Sequence, residues 1–224
     1  MYQDIYQQWQ SDPQAFWQTQ ATRVSWDTPP KTIFETNESG DRWYVDGVLN
    51  TCYNCVDRHV NDGHGDRIAF IHDSPLTESV TKLSYANLLD RVELVAGMLV
   101  SHGVEKGDRV IIYMPMIVET AIAALACARL GAVHSIVFGG FAAAELATRL
   151  NDAKPKLILA ASCGLEPGRT IAYKPLLDGA IELATHKPSA CLIFQRPEAK
   201  TTLQAGRDFD WQAEEDKARA QNNR

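Results

Sequence analysis

Between residues 50 and 194 the apolar positions follow two alternating patterns. Val110–Met114, Leu157–Ala161 and Cys191–Phe194 are near-continuous apolar runs, the signature of strands covered on both faces of a sheet. Segments with helical spacing separate them. Val92, Val95, Ala96 and Leu99 fall at i, i+3, i+4 and i+7, behind Ser84 as an N-cap and ahead of Gly103 as a stop. The same reading predicts helices over Asn50–Val60, over Val118–Leu130, from near Ala142 to about Asn151, and over Pro175–Thr185. A strand ends at Val137, and Ile68–His72 with Val80–Leu83 reads as a hairpin around Pro75. Strands alternating with helices of this length imply right-handed crossovers. The predicted fold class is therefore α/β, a mostly parallel sheet with helices on both faces.

The flanks differ. Residues 1–49 are polar, rich in Gln and Trp, and broken by Asp12-Pro13 and Thr28-Pro29-Pro30. They predict a short helical arm, with helices over Gln3–Gln10 and Pro13–Thr22, the second starting on proline. Trp9, Phe16, Trp17 and Trp26 exceed what so short a segment buries by itself, so the arm is expected to dock on the main domain or on something outside this chain. Beyond Gln195 the chain turns polar and reads as a surface helix or a frayed tail. The expected organisation is an arm (1–49), an α/β domain (50–197) and a polar linker or tail (198–224).

Composition narrows the classes of function. Apolar residues make up 45% and charged residues 22%, with a net charge of −6, the profile of an ordinary globular protein. No stripe of Lys and Arg forms, which argues against nucleic acid and against an anionic membrane as partners. No apolar run has bilayer length and the N-terminus lacks a leader pattern, so a cytoplasmic location is expected. The five cysteines are scattered, and a reduced compartment suits them. Cys127 and Cys191 read as small buried hydrophobes. Cys52, Cys55 and His59 would share one face of a regular helix, yet no fourth ligand stands at a recognisable spacing. A half-buried helix face is the simpler reading, and no metal site is expected.

The chain has no Walker-type phosphate loop, no Gly-x-Gly-x-x-Gly, no His-Glu-x-x-His and no Gly-x-Ser-x-Gly. Two segments remain. In Gly131–Phe141 a helix ends, a short strand follows, and the pair Gly139-Gly140 opens a turn ahead of the next helix. Without Cβ atoms such a turn lets backbone N–H groups approach a ligand beside a helix N-terminus, at the carboxyl end of a strand where open α/β sheets bind nucleotides. Gly164-Leu165-Glu166-Pro167-Gly168-Arg169 follows a core strand at the same edge, and a guanidinium beside backbone amides suits a phosphate. A merely tight turn and a surface arginine stay open as alternatives. Tyr113-Met114-Pro115 lines a cleft or only stops a strand. His134 reads as a hydrogen-bonded core histidine before a ligand contact, and Val104–Val110 as a polar turn feeding a strand.

Taken as one ordered series, Gly107-Asp108-Arg109-Val110, Tyr113-Met114-Pro115, Ala126–Ser135 and Val137-Phe138-Gly139-Gly140-Phe141 resemble the acetyl-/propionyl-CoA synthetases. These are AMP-forming acyl-CoA ligases of the adenylate-forming superfamily. Tyr6-Gln7-Gln8 and Phe16-Trp17 resemble that family's N-terminal region. Glu166-Pro167-Gly168-Arg169 with Tyr173-Lys174-Pro175-Leu176-Leu177 is closer to the propionyl branch.

The resemblance implies a two-step reaction. ATP and a short carboxylic acid give an acyl-adenylate and pyrophosphate, assisted by Mg²⁺, and the thiol of coenzyme A then displaces AMP. It also implies that the ATP-binding loop, the acyl pocket, the hinge and the adenylation lysine lie beyond these residues. The chain is then an N-terminal part, inactive alone, whose partners are the rest of the enzyme and its small-molecule substrates. No catalytic residue is expected within it. Coenzyme A contacts carry over to Phe138, Gly139 and Gly140, and to the loop Glu166, Pro167, Gly168 and Arg169. Glu166 stands where the acetyl enzymes carry Arg, and a carboxylate there would repel a phosphate. The alternative reading is a non-catalytic, flavodoxin-like module that binds a nucleotide or coenzyme A.

Overall fold

The computed structural model describes residues 2–222. They form two compact units, one ending at Asn54 and the other starting at Cys55.

The first unit opens with α1 (Tyr2–Ser11) and α2 (Pro13–Ala21), close to the expected spans. Asp12 separates them, and its side chain accepts the Ala15 N–H at 2.9 Å as the N-cap of α2. Not foreseen is the antiparallel hairpin of β1 (Phe34–Asn37) and β2 (Gly40–Trp43), with Phe34 opposite Trp43. Its polar sequence hides a strand pair whose residues are almost all exposed. Aromatic rings hold the unit together: Trp26 lies 5.5 Å from Tyr44, and Trp17 5.5 Å from Trp43.

The helix expected over Asn50–Val60 extends to His64 and winds in part as two π-helical turns, Tyr53–Asp57 and Val60–His64. This wider winding moves the side chains off a regular helix face. Cys52 is buried while Cys55 is exposed, so the shared face expected for Cys52, Cys55 and His59 does not form. Among the described residues no group of three or more His, Cys, Asp or Glu side chains converges on a metal-sized site.

In the second unit the expected hairpin is β3 (Ile68–Ser74) with β4 (Ser79–Ser84). Ser84 then caps α3 (Tyr85–Ser101), its Oγ accepting the Asn87 N–H at 3.2 Å. Val92, Val95, Ala96 and Leu99 are all buried, as their spacing requires.

The alternating series follows as β5 (Arg109–Met114), α4 (Val118–Leu130), β6 (Val133–Phe138), α5 (Ala143–Ala153), β7 (Leu157–Ala161), a small hairpin of β8 (Cys163–Glu166) and β9 (Arg169–Ala172), α6 (Lys174–Leu183) and β10 (Ala190–Phe194). Of the two readings of the polar stretch beyond Gln195, the helix forms and the frayed tail does not within the described residues. The stretch contributes β11 (Asp208–Asp210) to the sheet and α7 (Trp211–Ala220), whose Trp211 is fully buried.

The sheet order is β11-β10-β7-β5-β6, with every neighbour pair parallel. From β5 the chain moves outward to β6, returns across β5 to β7, and continues to β10 and β11. Right-handed crossovers place α4 on one face and α5 with α6 on the other. The packing agrees: α5 meets α6, while α3 meets α4 and α7. The reversal between β5 and β7 is the topological switch point of a flavodoxin-like order, where ligands sit in such sheets. Among the described residues no helix is long and apolar enough to cross a membrane.

Candidate functional site

A cleft of about 210 Å³ opens at the carboxyl ends of these strands. Pro115, Met116 and Ile117 line it beyond β5, Phe138 and Gly139 where β6 ends, and Leu165 and Glu166 from β8. Tyr173 and Arg196 form its inner side, and His72, Ser74 and Leu76 of the β3–β4 hairpin close it. The Gly-Gly turn and the Glu166 loop therefore meet in one groove at the switch point. The volume is below the roughly 300–1,000 Å³ of complete small-molecule sites, so the groove can seat part of a large ligand. Met116 and Phe138 are 81% and 68% exposed, which leaves its outer wall apolar and open.

The turn itself is held by tyrosines. Gly140 adopts a left-handed φ of +92° that disfavours a side chain. Its N–H donates to Tyr113 Oη at 3.2 Å, and that hydroxyl donates to the Phe141 carbonyl at 3.0 Å. The Gly140 amide, expected to face a ligand, is thus spent on Tyr113. Gly139 has a different reason to lack a side chain, because a Cβ there would lie 2.4 Å from the Tyr173 ring. Gly164 repeats the device from the other side, its Cβ position 2.1 Å from Tyr173 Oη. The two glycines make room for one buried ring that joins the turn to β8. Burial, with Tyr113 beside it, pushes the Tyr173 hydroxyl up to about 12, so it stays protonated at neutral pH.

Gly164→Ala should therefore destabilise the chain by about 1–3 kcal/mol, since the added methyl would overlap the Tyr173 ring. Chemical denaturation measures this. A loss under about 0.5 kcal/mol would mean that the ring is free to shift. Tyr173→Ala added to Gly164→Ala should cost less than the two single changes together, because both act on one contact.

The segment from Cys163 to Ala172 is a hairpin rather than a loop, turning at Pro167-Gly168 with Gly168 at φ +75°. The register sets Glu166 opposite Arg169, and Arg169 Nε and Nη2 donate to Glu166 Oε2 at 2.7 and 2.5 Å. Glu166 is thus the counter-ion of Arg169. The Arg169 side chain is 68% exposed and does not line the cleft, and neither do Gly140, Pro167 or Gly168.

Arg196, Tyr173 and His72 are the residues that reading the sequence missed. Arg196 is buried, donates to the Cys163 carbonyl at 3.4 Å and pairs with Glu198 at 3.3 Å. Its position just past the apolar run ending at Phe194 was the available signal, since carboxyl strand ends are where such sheets bind ligands. His72 Nε2 donates to the Met116 carbonyl at 3.0 Å and so fixes the outer wall.

The remaining candidates lie elsewhere. His134 is exposed on the edge strand β6 rather than in the core, because β6 has a neighbour on one side only. Val104–Val110 is a turn at the amino end of β5, where Asp108 accepts the Glu105 N–H at 3.0 Å. Cys127 and Cys191 are buried as expected, and burial pushes both thiols up to about 12.

Comparison with known proteins adds the family context. The family model described as AMP-binding enzyme matches residues 57–223, and that described as acetyl-coenzyme A synthetase N-terminus matches residues 2–55. The chain is 48% identical over 215 residues to the rat acyl-CoA synthetase short-chain family member 3, mitochondrial, covering 95% of this chain and 31% of that protein. It is 44% identical over 211 residues to the propionate–CoA ligase of Escherichia coli, covering 94% of this chain and 33% of that protein. It spans about a third of the length of these relatives.

Proposed function

The chain belongs to the AMP-binding enzyme family, and we propose that it is the N-terminal part of an ATP-dependent, AMP-forming short-chain acyl-CoA synthetase, working in the cytoplasm on propionate or acetate. The carrying observation is the convergence of the Gly139-Gly140 turn and the Glu166 strand on one cleft at the switch point of the sheet. In such a reaction the carboxylate becomes an acyl-adenylate with loss of pyrophosphate, and the coenzyme A thiol then displaces AMP. Mg²⁺ would offset the phosphate charge there, and the described residues contain no cluster fitted to hold it. ATP, Mg²⁺ and the acyl group would be held by residues outside this chain. What this chain offers is one rim of the coenzyme A surface.

Arg169 supplies the phosphate contact in this reading. Its pairing with Glu166 is exposed, and such pairs are worth about 0–1 kcal/mol. A doubly charged phosphate can therefore compete with Glu166 for the guanidinium, and a guanidinium shared between the two offsets the repulsion that Glu166 alone would cause. Met116 and Phe138 offer apolar walls along the cleft.

Coenzyme A titrated calorimetrically onto the chain should bind about tenfold more weakly to Arg169→Ala, the cost of one charged hydrogen-bonded contact. In the full-length ligase the same change should raise the KM for coenzyme A far more than that for ATP. Unchanged coenzyme A constants would remove Arg169 from the site. The polypeptide alone should form no acyl-AMP and no acyl-CoA, and clear turnover would defeat the fragment reading. A second reading, a non-catalytic flavodoxin-like module, draws on the strand order β11-β10-β7-β5-β6. It predicts ligand binding with no gain of turnover when the chain is joined to the remaining two thirds of a relative.

A further inference from the structure

The N-terminal unit carries a second concavity, independent of the ligase reading. A cleft of about 720 Å³ is lined by the rings of Trp9, Trp17, Phe34 and Trp43 together with Asp12 and Gln14. That volume lies within the roughly 300–1,000 Å³ of small-ligand sites. The rings are partly open to solvent, with Trp9 38%, Phe34 42% and Trp43 49% exposed. They are nevertheless held in place. Trp43 sits 4.7 Å from Phe34 and 5.5 Å from Trp17, and Tyr44 Oη donates to the Trp17 carbonyl at 3.0 Å.

The charge of the lining is one-sided. Among the described residues Asp12 is its single charged residue, and no lysine or arginine takes part. Asp12 Oδ1 accepts the Ala15 N–H at 2.9 Å, and a carboxylate retains acceptor capacity beyond one such bond. The surroundings have the same sign, since residues 2–54 include seven Asp or Glu and three Lys or Arg. An apolar occupant would desolvate Asp12 without compensation. A cation on the indole faces would instead gain from the rings and from the carboxylate together.

We propose that this cleft binds an arginine side chain of a partner polypeptide, the guanidinium stacked on the indoles and paired with Asp12. Arginine fits better than lysine because its cation is planar, weakly hydrated and forked to match a carboxylate.

The indole N–H signals in a nitrogen–proton correlation spectrum of the labelled chain test this directly. Trp26 Nε1 donates to the Ala21 carbonyl and Trp211 Nε1 to Glu215, so these two signals serve as internal references. N-acetyl-arginine amide should shift the signals of Trp9, Trp17 and Trp43 saturably. The neutral isostere N-acetyl-citrulline amide should bind about two- to fivefold more weakly, the value of an exposed cation–π contact. Asp12→Asn keeps an oxygen to cap α2 and removes the charge, and should weaken the arginine probe severalfold with the reference signals unmoved. Trp43→Phe, a smaller ring with a weaker attraction for cations, should weaken it as well and covers the case in which Asp12→Asn disturbs the unit. Absence of a saturable shift, equal binding of citrulline amide, or full affinity in both variants would overturn the proposal. So would tetramethylammonium binding more tightly than the arginine probe, which would indicate a site for small ammonium compounds.

Discussion

Trp211→Ala is expected to lower the stability of the chain by about 3–5 kcal/mol, the cost of deleting a large buried aromatic side chain. Trp211 is the first residue of α7, is fully buried and lies 6.1 Å from the Phe194 ring at the end of β10. Its Nε1 donates to Glu215 Oε1 at 2.9 Å. Burial pushes the Glu215 carboxyl above its ordinary range, partly offset by that indole bond. The alanine variant thus leaves a cavity and removes the hydrogen bond to a buried acid at once, leaving it Arg91 at 3.9 Å. Since a domain has about 5–15 kcal/mol in total, the loss is large, a fall in Tm of about 6–20 °C. Denaturant unfolding of the variant and of Trp211→Phe, which refills most of the cavity, makes the comparison. A deficit below about 1 kcal/mol in the alanine variant would mean that α7 does not fold cooperatively with the sheet.

Asp208→Ala should cost about 3–5 kcal/mol by a different route, the breaking of a buried ion pair from one side. The Asp208 side chain has no exposure and receives Arg207 Nε at 2.6 Å, Arg207 Nη2 at 3.0 Å, Lys174 Nζ at 2.9 Å and the Gln204 N–H at 2.8 Å. Lys174 is itself buried, so removing the carboxylate leaves a cation that Asp178, half exposed, satisfies only in part. Burial by itself would raise the Asp208 carboxyl, but the hydrogen bonds from Arg207, Gln204 and Lys174 outweigh it and hold it below the ordinary carboxylate range. The sign of the pH dependence follows. A carboxyl lowered in the folded state contributes its stability above the unfolded value of about 3.9 and loses it as pH falls through the folded value. The gap in Tm between the chain and Asp208→Asn should therefore be full at pH 7 and shrink progressively below about pH 4. A gap that stays constant down to pH 2 would exclude the ionised pair as its source.

Much of the architecture was legible because burial on both faces leaves a local trace. The runs Val110–Met114, Leu157–Ala161 and Cys191–Phe194 are strands buried nearly throughout, and Val118–Leu130 is a helix over the predicted residues. Capping is equally local, so Ser84 and Asp12-Pro13 marked helix starts that the structure contains. The elements that escaped notice, or were left open between two readings, have polar sequences. In β1–β2 almost nothing is buried, and the C-terminal helix, read as a surface helix or a frayed tail, owes its place as α7 to Trp211 and the Asp208 ion pairs rather than to a periodic apolar stripe. The π-helical winding after Cys52 has no signature in spacing at all.

At the site, the glycines of 139–140 marked the right place for an incomplete reason. Glycine in a strand-to-helix turn can signal a ligand, a positive φ or a crowded neighbour, and only the fold brings Tyr173, already close in the chain to Gly164, against Gly139 as well. The pairing of Glu166 with Arg169 needed the hairpin register, and Arg196 needed the sheet order to reach the same cleft. Apolar runs and caps act between neighbours along the chain, so the order of residues suffices to place strands, helices and the α/β class. Which backbone amides are spent, which cations are neutralised and which rings are left open depend on groups far apart in the chain, and packing alone brings those together.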